Sequence, residues 1–160
     1  MEYYNEYLSP LGKIILKSDG TYLTGLCFSD EIICKKDDLD IFNRTKKWLD
    51  IYFNGENPNF NLNIKLDNVT AFQRQVLNIV QKIPYGERMT YGMIAQEIEK
   101  ERNIKKMSSQ AVGNAVGHNP ICIVIPCHRV IGANNNLVGY RYGLVKKREL
   151  LKLEHCENKC

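Results

Sequence analysis

One apolar run constrains the fold of this chain more than any other feature. Residues 121 to 131 read Ile-Cys-Ile-Val-Ile-Pro-Cys-His-Arg-Val-Ile, so a nearly unbroken hydrophobic stretch leads into a proline, a cysteine, a histidine and an arginine. An apolar run of this length without alternation is typical of a strand that is buried on both faces. We therefore predict a buried central strand that turns at Pro126 and presents Cys127 and His128 at its end.

Length and composition favour a water-soluble globular protein. The chain has 160 residues, of which 44% are hydrophobic and 25% charged, and this is enough for one medium domain or two small ones. No apolar run approaches the roughly 20 residues that a membrane-spanning helix requires. Because residues 1 to 6 are polar and acidic and do not resemble a secretion signal, we expect a cytoplasmic protein.

Charge and cysteine spacing bear on partners and cofactors. The net charge of +4 is compatible with a polyanionic partner, but many proteins without such a partner are equally basic. The six cysteines form no CxxC pair, and cytosolic thiols stay reduced, so we predict no structural disulfide. Because the first histidine is His118, a zinc site in the amino-terminal part would lack imidazole ligands, and no metal is expected.

The amino-terminal part alternates hydrophobic segments with turn residues. Its predicted elements are three strands, a helix and a fourth strand, in that order, over residues 2–8, 12–18, 22–28, 41–53 and 60–66. The pattern breaks at Asp67 and Asn68. We place a domain boundary there, which gives an amino-terminal domain of residues 1–68 and a carboxy-terminal domain of residues 69–160.

Helices dominate the prediction beyond this boundary. Capping residues mark the start of three helices, at Thr70, at Thr90 and at Ser108 or Ser109. A charged connection over residues 99–107 separates the second helix from the third. Two short capped helices in succession indicate a helix-turn-helix.

The last part of the chain is predicted to be a turn, a loop and a helix. The turn covers residues 132–136, and the loop at 137–143 carries glycines and two aromatic residues, a composition that often shapes pockets. The helix is predicted from about 144 to 155, with Glu154 beside its apolar stripe and within reach of a buried partner. Its inward residues are predicted to be Leu144, Val145 and Leu151. Residues 156 to 160 are predicted to form a frayed tail, and Cys156 and Cys160 have no predicted role.

The predicted helix over residues 109 to 116 has a nearly bare outer face. The positions of that face are spaced by helical turns and are Gln110, Gly113, Asn114 and Gly117. Two glycines in a short helix cost roughly 1 kcal/mol each relative to alanine, so another interaction must offset them. Close packing against a second helix and close approach of a ligand explain the glycines equally well.

A cysteine followed by a histidine can form an activated nucleophile. A nearby cation or general base favours the thiolate, and Cys127 is followed by His128 and Arg129. An acidic residue from elsewhere, for which Glu154 is our candidate, would orient the imidazole and complete a Cys-His-Glu relay. Judged by spacing alone, a neighbouring Cys-His pair is more often incidental than catalytic.

The segment Ile-Pro-Cys-His-Arg-Val at residues 125–130 resembles the signature of the O6-alkylguanine-DNA alkyltransferases, also called methylated-DNA-protein-cysteine methyltransferases. The likeness covers nearly the whole chain, through motifs that occur in order at Ser9-Pro10-Leu11-Gly12, Tyr85-Gly86-Glu87, Thr90-Tyr91, Ala111-Val112-Gly113, Asn119-Pro120, Gly139-Tyr140 and Leu150-Leu151 with Glu154. The resemblance implies an α+β fold. An amino-terminal ribonuclease-H-like α/β domain would precede a helical carboxy-terminal domain with a winged-helix-like helix-turn-helix.

The same resemblance implies DNA repair by direct reversal of damage. Cys127 would accept the alkyl group of O6-alkylguanine in double-stranded DNA in one irreversible turnover, with O4-alkylthymine left open as a second substrate. Base flipping would be needed because the alkyl carbon is hidden in the duplex. No cofactor is implied, and we expect a monomer without an obligate protein partner or membrane association.

The resemblance also implies a role for each residue of the site. Cys127 would be the nucleophile, His128 would deprotonate it through a water, and Glu154 would orient His128. Tyr91 would protonate the departing guanine at N3, and Asn119 would support the turn that carries the cysteine. Substrate and DNA contacts are implied for a further set of residues: Gln73, Gly92, Gln110, Ala111, Gly113, Asn114, Arg129, Val130, Tyr140 and Arg141.

Gln110 departs from the family pattern, which commonly has an arginine that fills the gap left by the flipped base. Glutamine carries no charge, so the departure concerns DNA affinity or flipping rather than the chemistry. Two other functions stay open. One is an alkyltransferase-like binding module, although relatives of that kind replace the nucleophile. The other is a thiol hydrolase built on Cys127 and His128, which would leave the bare helix face unexplained.

Overall fold

A computed structural model describes residues 1 to 154 of the chain. They divide into two compact units, one that covers Met1–Asp67 and one that begins at Asn68. Within the described residues, the first unit contains three strands and one helix, and the second contains four α-helices and a pair of short strands. This mixture confirms the predicted α+β class. No helix in this part of the chain is long and apolar enough to cross a bilayer.

The amino-terminal unit is an antiparallel meander with one helix. Its strands lie in the order β1 (Tyr3–Ser9), β2 (Gly12–Ser18) and β3 (Leu23–Phe28). Ser9 pairs with Gly12 across the first turn, and the φ of 128° at Gly12 favours glycine there. Helix α1 (Asp40–Phe53) buries an apolar stripe that includes Phe42 and Leu49. These three strands and this helix confirm the predictions for residues 2 to 53.

The fourth predicted strand, over residues 60–66, is wrong. The segment makes a single β-bridge, between Ile64 and Leu23, and its backbone bonds to Leu23. Its side chains nevertheless alternate as expected, because Leu62 and Leu66 are buried while their polar neighbours face outward. A period of two reports which face of an extended segment is covered, and it does not report how many residues pair with a neighbouring strand.

Helices form most of the carboxy-terminal unit. They are α2 (Ala71–Gln81), α3 (Tyr91–Arg102), α4 (Ser109–Gly117) and α5 (Leu144–Leu153). The hydroxyls of Thr70, Thr90 and Ser108 each accept a hydrogen bond from the third backbone N–H of the helix that follows, which confirms the predicted caps. Helices α3 and α4 pack against each other and against α2, as the predicted helix-turn-helix requires.

Two short parallel strands connect the helices to the cysteine segment. They are β4 (Met89–Thr90) and β5 (Val130–Ile131). Thr90 ends β4 and caps α3, so Tyr91 is the first residue of that helix. β5 follows directly after Cys127–Arg129. The pairing therefore fixes the start of α3 beside the segment that carries the cysteine.

The charged connection before α4 is shorter than predicted. Helix α3 continues to Arg102 and ends at Asn103, whose φ of 53° is left-handed. Residues 99–102 are therefore helical, and the connection covers only 103–108. The prediction of a connection over 99–107 is wrong because mixed charges are as compatible with an exposed helix face as with a loop.

Helix α5 buries a different face from the one predicted. Its buried residues are Lys147, Leu150 and Leu151. Leu151 is confirmed, but Leu144 and Val145 are exposed, since Leu144 lies in the first turn and Val145 lies about 200° around the helix from Lys147. The predicted end of this helix at residue 155 and the predicted tail at 156–160 lie outside the described residues.

Candidate active site

The predicted buried strand at residues 121–131 is a series of tight turns. Its burial is confirmed, but its extended conformation is wrong, and a strand begins only at Val130. Ile123 has a φ of 68°, and the N–H of Val124 donates to the carbonyl of Cys122 at 2.7 Å, which closes a three-residue turn. Left-handed φ is strained for a β-branched residue. An apolar run predicts burial but does not distinguish a strand from other buried conformations.

Pro126 provides the predicted turn in front of the cysteine. Its φ of −80° and ψ of 65° are those of an inverse γ-turn, closed by a 2.8 Å hydrogen bond from the N–H of Cys127 to the carbonyl of Ile125. A single turn of 3-10 helix, Cys127–Arg129, follows. In an extended strand, Cys127 and His128 would point to opposite faces. The two turns replace that arrangement and set the direction of the thiol.

Asn119 holds the two ends of these turns together. Its Nδ2 donates to the carbonyl of Ile125 at 2.8 Å, and its Oδ1 accepts from the N–H of Ile121 at 3.0 Å. The side chain is 2% exposed, so these bonds form away from water. One amide thus satisfies two buried backbone groups of the cysteine segment.

A buried carboxylate lies behind the cysteine segment. Glu154 Oε2 lies 2.6 Å from Nε2 of His128, and Oε1 accepts from the backbone N–H of Gly86 at 3.1 Å. Both His128 and Glu154 are almost fully buried. The structure therefore brings together three predicted site residues, Cys127, His128 and Glu154, from the cysteine segment and the end of α5.

Arg129 is the counter-ion of this carboxylate. Its Nε and Nη2 donate to the two oxygens of Glu154 at 2.8 and 3.1 Å, and its Nη1 donates to the carbonyl of Ile83 at 2.6 Å. The residue is only 8% exposed. Its guanidinium is therefore buried and engaged within the protein, and the contact of Arg129 with substrate or DNA stays a prediction.

The charges of this cluster are set by burial and pairing. Burial would raise the pKa of Glu154, but His128 and Arg129 outweigh it and hold that pKa below its ordinary value. Burial lowers the pKa of His128 against the attraction of the carboxylate. A neutral imidazole that donates Nε2–H to Glu154 keeps its lone pair on Nδ1, which makes Nδ1 the basic nitrogen.

A cavity of about 650 Å³ opens beside the thiol. Many of the predicted site residues line it: Tyr91, Gln110, Gly113, Asn114, Asn119, Cys127, Tyr140 and Arg141. They come from the start of α3, from α4, from the cysteine segment and from the loop at 137–143. The helix-turn-helix and the candidate nucleophile thus share one cavity.

The remaining predicted contacts lie elsewhere in the carboxy-terminal unit. Gln73 accepts from the N–H that precedes α2 and completes a capping box. Gly92 is the second residue of α3 and Ala111 the third of α4, and both are partly exposed. Val130 is buried, and its carbonyl accepts a 2.6 Å hydrogen bond from Lys147.

The loop at 137–143 forms one wall of the cavity, as its composition predicts. The hydroxyl of Tyr91 lies 3.2 Å from the carbonyls of both Val138 and Gly139. Gly139 has a φ of 65°, and a Cβ there would lie 3.3 Å from the Tyr91 hydroxyl, so glycine suits the position twice over. The rings of Tyr140 and Tyr142 pack edge to face with centroids 5.6 Å apart.

Two family models match the chain along most of its length. The 6-O-methylguanine DNA methyltransferase, ribonuclease-like domain, matches residues 2–66, and the 6-O-methylguanine DNA methyltransferase, DNA binding domain, matches residues 71–156. A methylated-DNA-protein-cysteine methyltransferase of Haemophilus influenzae is 40% identical over 95% of this chain and 86% of its own length. The chain belongs to this family. Its function is DNA repair by transfer of an alkyl group to a cysteine of the protein.

Solved structures of family members share the fold. A Mycobacterium tuberculosis O6-methylguanine methyltransferase superimposes with a TM-score of 0.82 at 38% identity, over 96% of this chain and 93% of that one. The same organism's OGT in complex with DNA gives a TM-score of 0.83 at 39% identity, over 95% and 92% of the two chains. A methylated-DNA-protein-cysteine methyltransferase of Methanosarcina acetivorans is 40% identical over 95% of this chain and 97% of its own.

In this methyltransferase, the thiol of Cys127 is subject to opposing influences. Burial raises its pKa, while a hydrogen bond from Asn119 and the positive charges of Lys147 and Arg141 favour the thiolate. Cys127 is 7% exposed and lines the cavity. A buried thiol of this kind needs a base to become a nucleophile at neutral pH.

Lys147 is the site residue that sequence reasoning missed. It is fully buried in α5, and burial lowers its pKa to about 8. Its Nζ donates to the carbonyls of Val130, Val138 and Gly139 at 2.6, 3.0 and 3.3 Å. The sequence did contain a signal for its burial, because Lys147 precedes the buried residues Leu150 and Leu151 by about one turn of the helix.

The glycines of α4 are not required by packing among the described residues. A methyl group at Gly113 would make ordinary contacts of 3.7 Å with the ring of Tyr91, and one at Gly117 would meet no atom within 4 Å. Of the two explanations for the bare face of α4, close helix packing is therefore wrong. Close approach of a ligand is the remaining explanation for the two glycines.

Proposed function

We propose that this methyltransferase takes the alkyl group from O6 of guanine in double-stranded DNA onto Sγ of Cys127, once per molecule. The observation that carries the proposal is the buried pairing of Glu154 with His128, the residue that follows Cys127 in the chain, together with the cavity that Cys127 lines. A nucleophile, a base and an orienting carboxylate are the parts that such a displacement needs.

The reaction is a displacement at the alkyl carbon. His128 takes the thiol proton of Cys127 through a bridging water, and the thiolate attacks the carbon bound to O6. The carbon-oxygen bond breaks as the carbon-sulfur bond forms, and the guanine leaves with the electron pair. Glu154 keeps its charge throughout and stabilises the imidazolium, in the way that a triad carboxylate does.

Tyr91 protonates the departing guanine at N3. Its hydroxyl lies at the wall of the cavity and is partly buried, and burial together with the nearby Cys127 raises its pKa. A neutral phenol is the donor that this step requires. The hydrogen bonds of that hydroxyl to the carbonyls of Val138 and Gly139 are exchanged for the base when the cavity is filled.

DNA is engaged through the outer face of α4. Gln110 and Asn114 are exposed on that face, and Gly113 leaves room for a backbone to approach. The base must leave the helical stack to reach the cavity, because its alkyl carbon is shielded inside the duplex. The complex with DNA that is described for the Mycobacterium tuberculosis relative supports DNA as the partner.

The product limits each molecule to one turnover. A thioether at Cys127 has no proton to lose and cannot act again as a thiolate. No cofactor is needed, because the alkyl carbon is already activated by its bond to the purine. We assign the chemistry to residues 69–160, since all residues of the proposed site lie there. We also assign the protein to a reducing cytoplasm, since a nucleophilic thiol must stay reduced. One chain contains every residue of the proposed site, so the proposed reaction requires only a monomer.

The test is the mass of the protein after incubation with a duplex that contains one O6-methylguanine. We expect the gain of one methyl group, located on Cys127 by peptide mapping, and no gain with the unmodified duplex. Cys127→Ser should lose the gain but still bind DNA. Cys34→Ser serves as the matched control, because Cys34 is an exposed thiol outside the site and its loss should change nothing.

The other outcomes separate the alternative functions. Tight binding of the lesion duplex by the intact protein without any mass gain would replace the proposal with a binding module. Repeated turnover of an ester or peptide by Cys127 would replace it with a hydrolase.

A further inference from the structure

The connection between α3 and α4 has a hydrogen-bonded conformation of its own. It covers residues 103–108, which is longer than the three or four residues that a helix-turn-helix needs. Asn103 is left-handed at its start, and the N–H of Ile104 donates to the carbonyl of Glu99 at 3.0 Å. The N–H of Met107 donates to Oε2 of the same glutamate at 2.9 Å. Glu99 therefore bonds to the backbone on both sides of residues 105 and 106.

These two residues are adjacent lysines whose charges the protein does not neutralise. Lys105 and Lys106 are exposed, and neither forms an ion pair or a side-chain hydrogen bond within residues 1–154. The nearest carboxylates in the sequence have other partners. Glu99 accepts from the backbone of the connection, and Glu101 accepts from Nε2 of Gln75 at 2.8 Å. Two like charges are thus displayed side by side on a supported backbone.

Negative charge is missing from a much longer part of the chain around these lysines. The chain has 18 acidic residues, yet residues 102–148 contain none. This range includes the connection, α4, the cysteine segment and the loop at 137–143. A surface without carboxylates does not repel a polyanion, whereas exposed cations attract one. Ordinary solvated surface charge explains two exposed lysines, but it does not explain the exclusion of acidic residues over the whole range.

We propose that Lys105 and Lys106 bind phosphates of the lesion duplex and hold its backbone beside the base that enters the cavity. Position 110, on the outer face of α4, carries an uncharged glutamine. The two lysines supply the cationic contacts that this position lacks. Their target is the backbone of duplex DNA, so they contribute affinity that does not depend on base sequence.

The spacing along the chain limits which phosphates the lysines can reach. Gln110 is four residues after Lys106, and four extended residues span at most about 14 Å. Adding about 6 Å for the lysine side chain, and dividing by a rise of about 3.4 Å per base pair, gives about six base pairs. Since Gln110 lines the cavity, the contacted phosphates should lie within about that distance of the lesion.

The first test compares Lys105→Gln/Lys106→Gln with Lys46→Gln/Lys47→Gln. The control removes two adjacent lysines of α1 that likewise form no ion pair within the described part of the chain. Fluorescence anisotropy with the lesion duplex is measured over a range of salt concentrations. We expect the first variant to flatten the slope of log affinity against log salt by about 1.8, or about 0.9 for each contact. At about 0.1 M salt its affinity should fall by about 10- to 60-fold, and the control should match the unaltered protein.

Single-turnover methyl transfer shows whether the loss concerns binding or chemistry. In Lys105→Gln/Lys106→Gln, the DNA concentration at half-saturation should rise by the same factor by which affinity falls. The loss should not appear in the rate at saturating DNA, because neither lysine touches the reacting atoms in the proposal.

The second test locates the phosphates. Neutral methylphosphonate linkages replace phosphates either within about six base pairs of the lesion or about 12 base pairs away. Near linkages should weaken binding by the unaltered protein by about tenfold and should cost Lys105→Gln/Lys106→Gln nothing further. Distant linkages should leave both proteins unchanged.

Three results would overturn the proposal. The first is an equal salt slope in the two double variants, and the second is a lower rate at saturating DNA with unchanged affinity. The third is that near linkages weaken the unaltered protein and Lys105→Gln/Lys106→Gln by the same factor. Thermal transitions check that the variants fold. If the first variant does not fold, the unaltered protein decides, since indifference to the near linkages also overturns the proposal.

The inference rests on the proposed function, and its failure can be told apart from failure of that function. The unaltered protein is first weighed after exposure to the lesion duplex. No methyl gain there would overturn the transfer to Cys127 itself. A normal gain, together with equal salt slopes in the two double variants, would overturn only the role of Lys105 and Lys106.

Discussion

Nε2 of His128 lies 2.6 Å from Oε2 of Glu154, and the two side chains are buried together. The contact depends on a third residue, because Arg129 bonds to both oxygens of the same carboxylate. The carboxylate therefore bonds to one side chain of the proposed chemistry and to one buried cation, Arg129. Changes at Glu154 should act on both activity and stability.

Glu154→Gln is expected to slow methyl transfer and to destabilise the fold. The amide cannot stabilise an imidazolium, so the rate should fall by about 100-fold. Arg129 would be left buried without its counter-ion, which should lower the free energy of unfolding by about 3 kcal/mol. Single-turnover kinetics and urea unfolding measure the two effects. Glu149→Gln, at a partly exposed position of the same helix, should change neither, and equal behaviour of the two variants would contradict the prediction.

Stability should fall as the solution becomes acidic. The folded pKa of His128 lies below its ordinary value of 6.5, so below about pH 6.5 the unfolded chain binds a proton that the folded protein excludes. The folded pKa of Glu154 lies below its ordinary value of 4.5, so the loss continues below that pH. Thermal unfolding between about pH 7.5 and 4 measures the trend. His128→Gln should flatten the part above about pH 4.5, and a flat profile in the unaltered protein would refute the account.

Asn119→Ala should weaken the turns that carry the thiol. It leaves the N–H of Ile121 and the carbonyl of Ile125 buried without their side-chain partner, at a cost of about 1–3 kcal/mol in the free energy of unfolding. It also removes a hydrogen bond that favours the thiolate, so the pKa of Cys127 should rise further. Urea unfolding and the pH dependence of thiol alkylation measure these changes. Asn43→Ala, which loses an exposed bond in α1, is the control, and an equal effect there would disprove the assignment.

Gly113→Ala and Gly117→Ala form a matched pair within α4. Both should raise the free energy of unfolding, by up to about 1 kcal/mol at Gly113 and less at Gly117, which ends the helix. Gly113 faces the ring of Tyr91, whereas a methyl group at Gly117 meets nothing. If DNA approaches the bare face closely, the alanine at 113 should weaken duplex binding and the alanine at 117 should do so much less. Unchanged binding in both variants would argue against that approach.

Gln110→Arg should strengthen DNA binding and make it more sensitive to salt. Each added contact between a cation and a phosphate steepens the slope of log affinity against log salt by about 0.9. Fluorescence anisotropy at two salt concentrations measures the slope. Gln81→Arg, which adds the same charge at an exposed position at the end of α2, is the control. Equal slopes for the two variants would show that position 110 does not meet the DNA.

The sequence predicted those elements whose signals are local. The caps at Thr70, Thr90 and Ser108 depend on a hydroxyl and the backbone of the next turn, so they could be read directly. The three amino-terminal strands are separated by turn residues such as Gly12, and their limits follow from those turns. Burial of residues 121–131 was also predictable, since hydrophobicity reports exclusion from water.

The conformation of the cysteine segment and the partners of its side chains were not predictable from local signals. The turn at Ile123 places a β-branched residue at positive φ, against its own preference, and only the surrounding structure can impose that. The engagement of Arg129 with Glu154 joins residues 25 apart in the chain. Lys147 was missed because a lysine is normally assigned to the surface, although its helical spacing places it on the buried face of α5. Its three carbonyl partners, 17, 9 and 8 residues earlier in the chain, could not be predicted from that spacing.

The residues on the outer face of α4 are also walls of the cavity, since Gln110, Gly113 and Asn114 belong to both surfaces. Under the proposed function, substitutions at these residues therefore affect both affinity for the duplex and selectivity among lesions. A substitution that improves grip on the DNA also reshapes the chamber that admits the alkyl group. Tyr140 and Tyr142 also line the chamber but belong to the loop at 137–143, so changes there would alter the chamber without touching the helix.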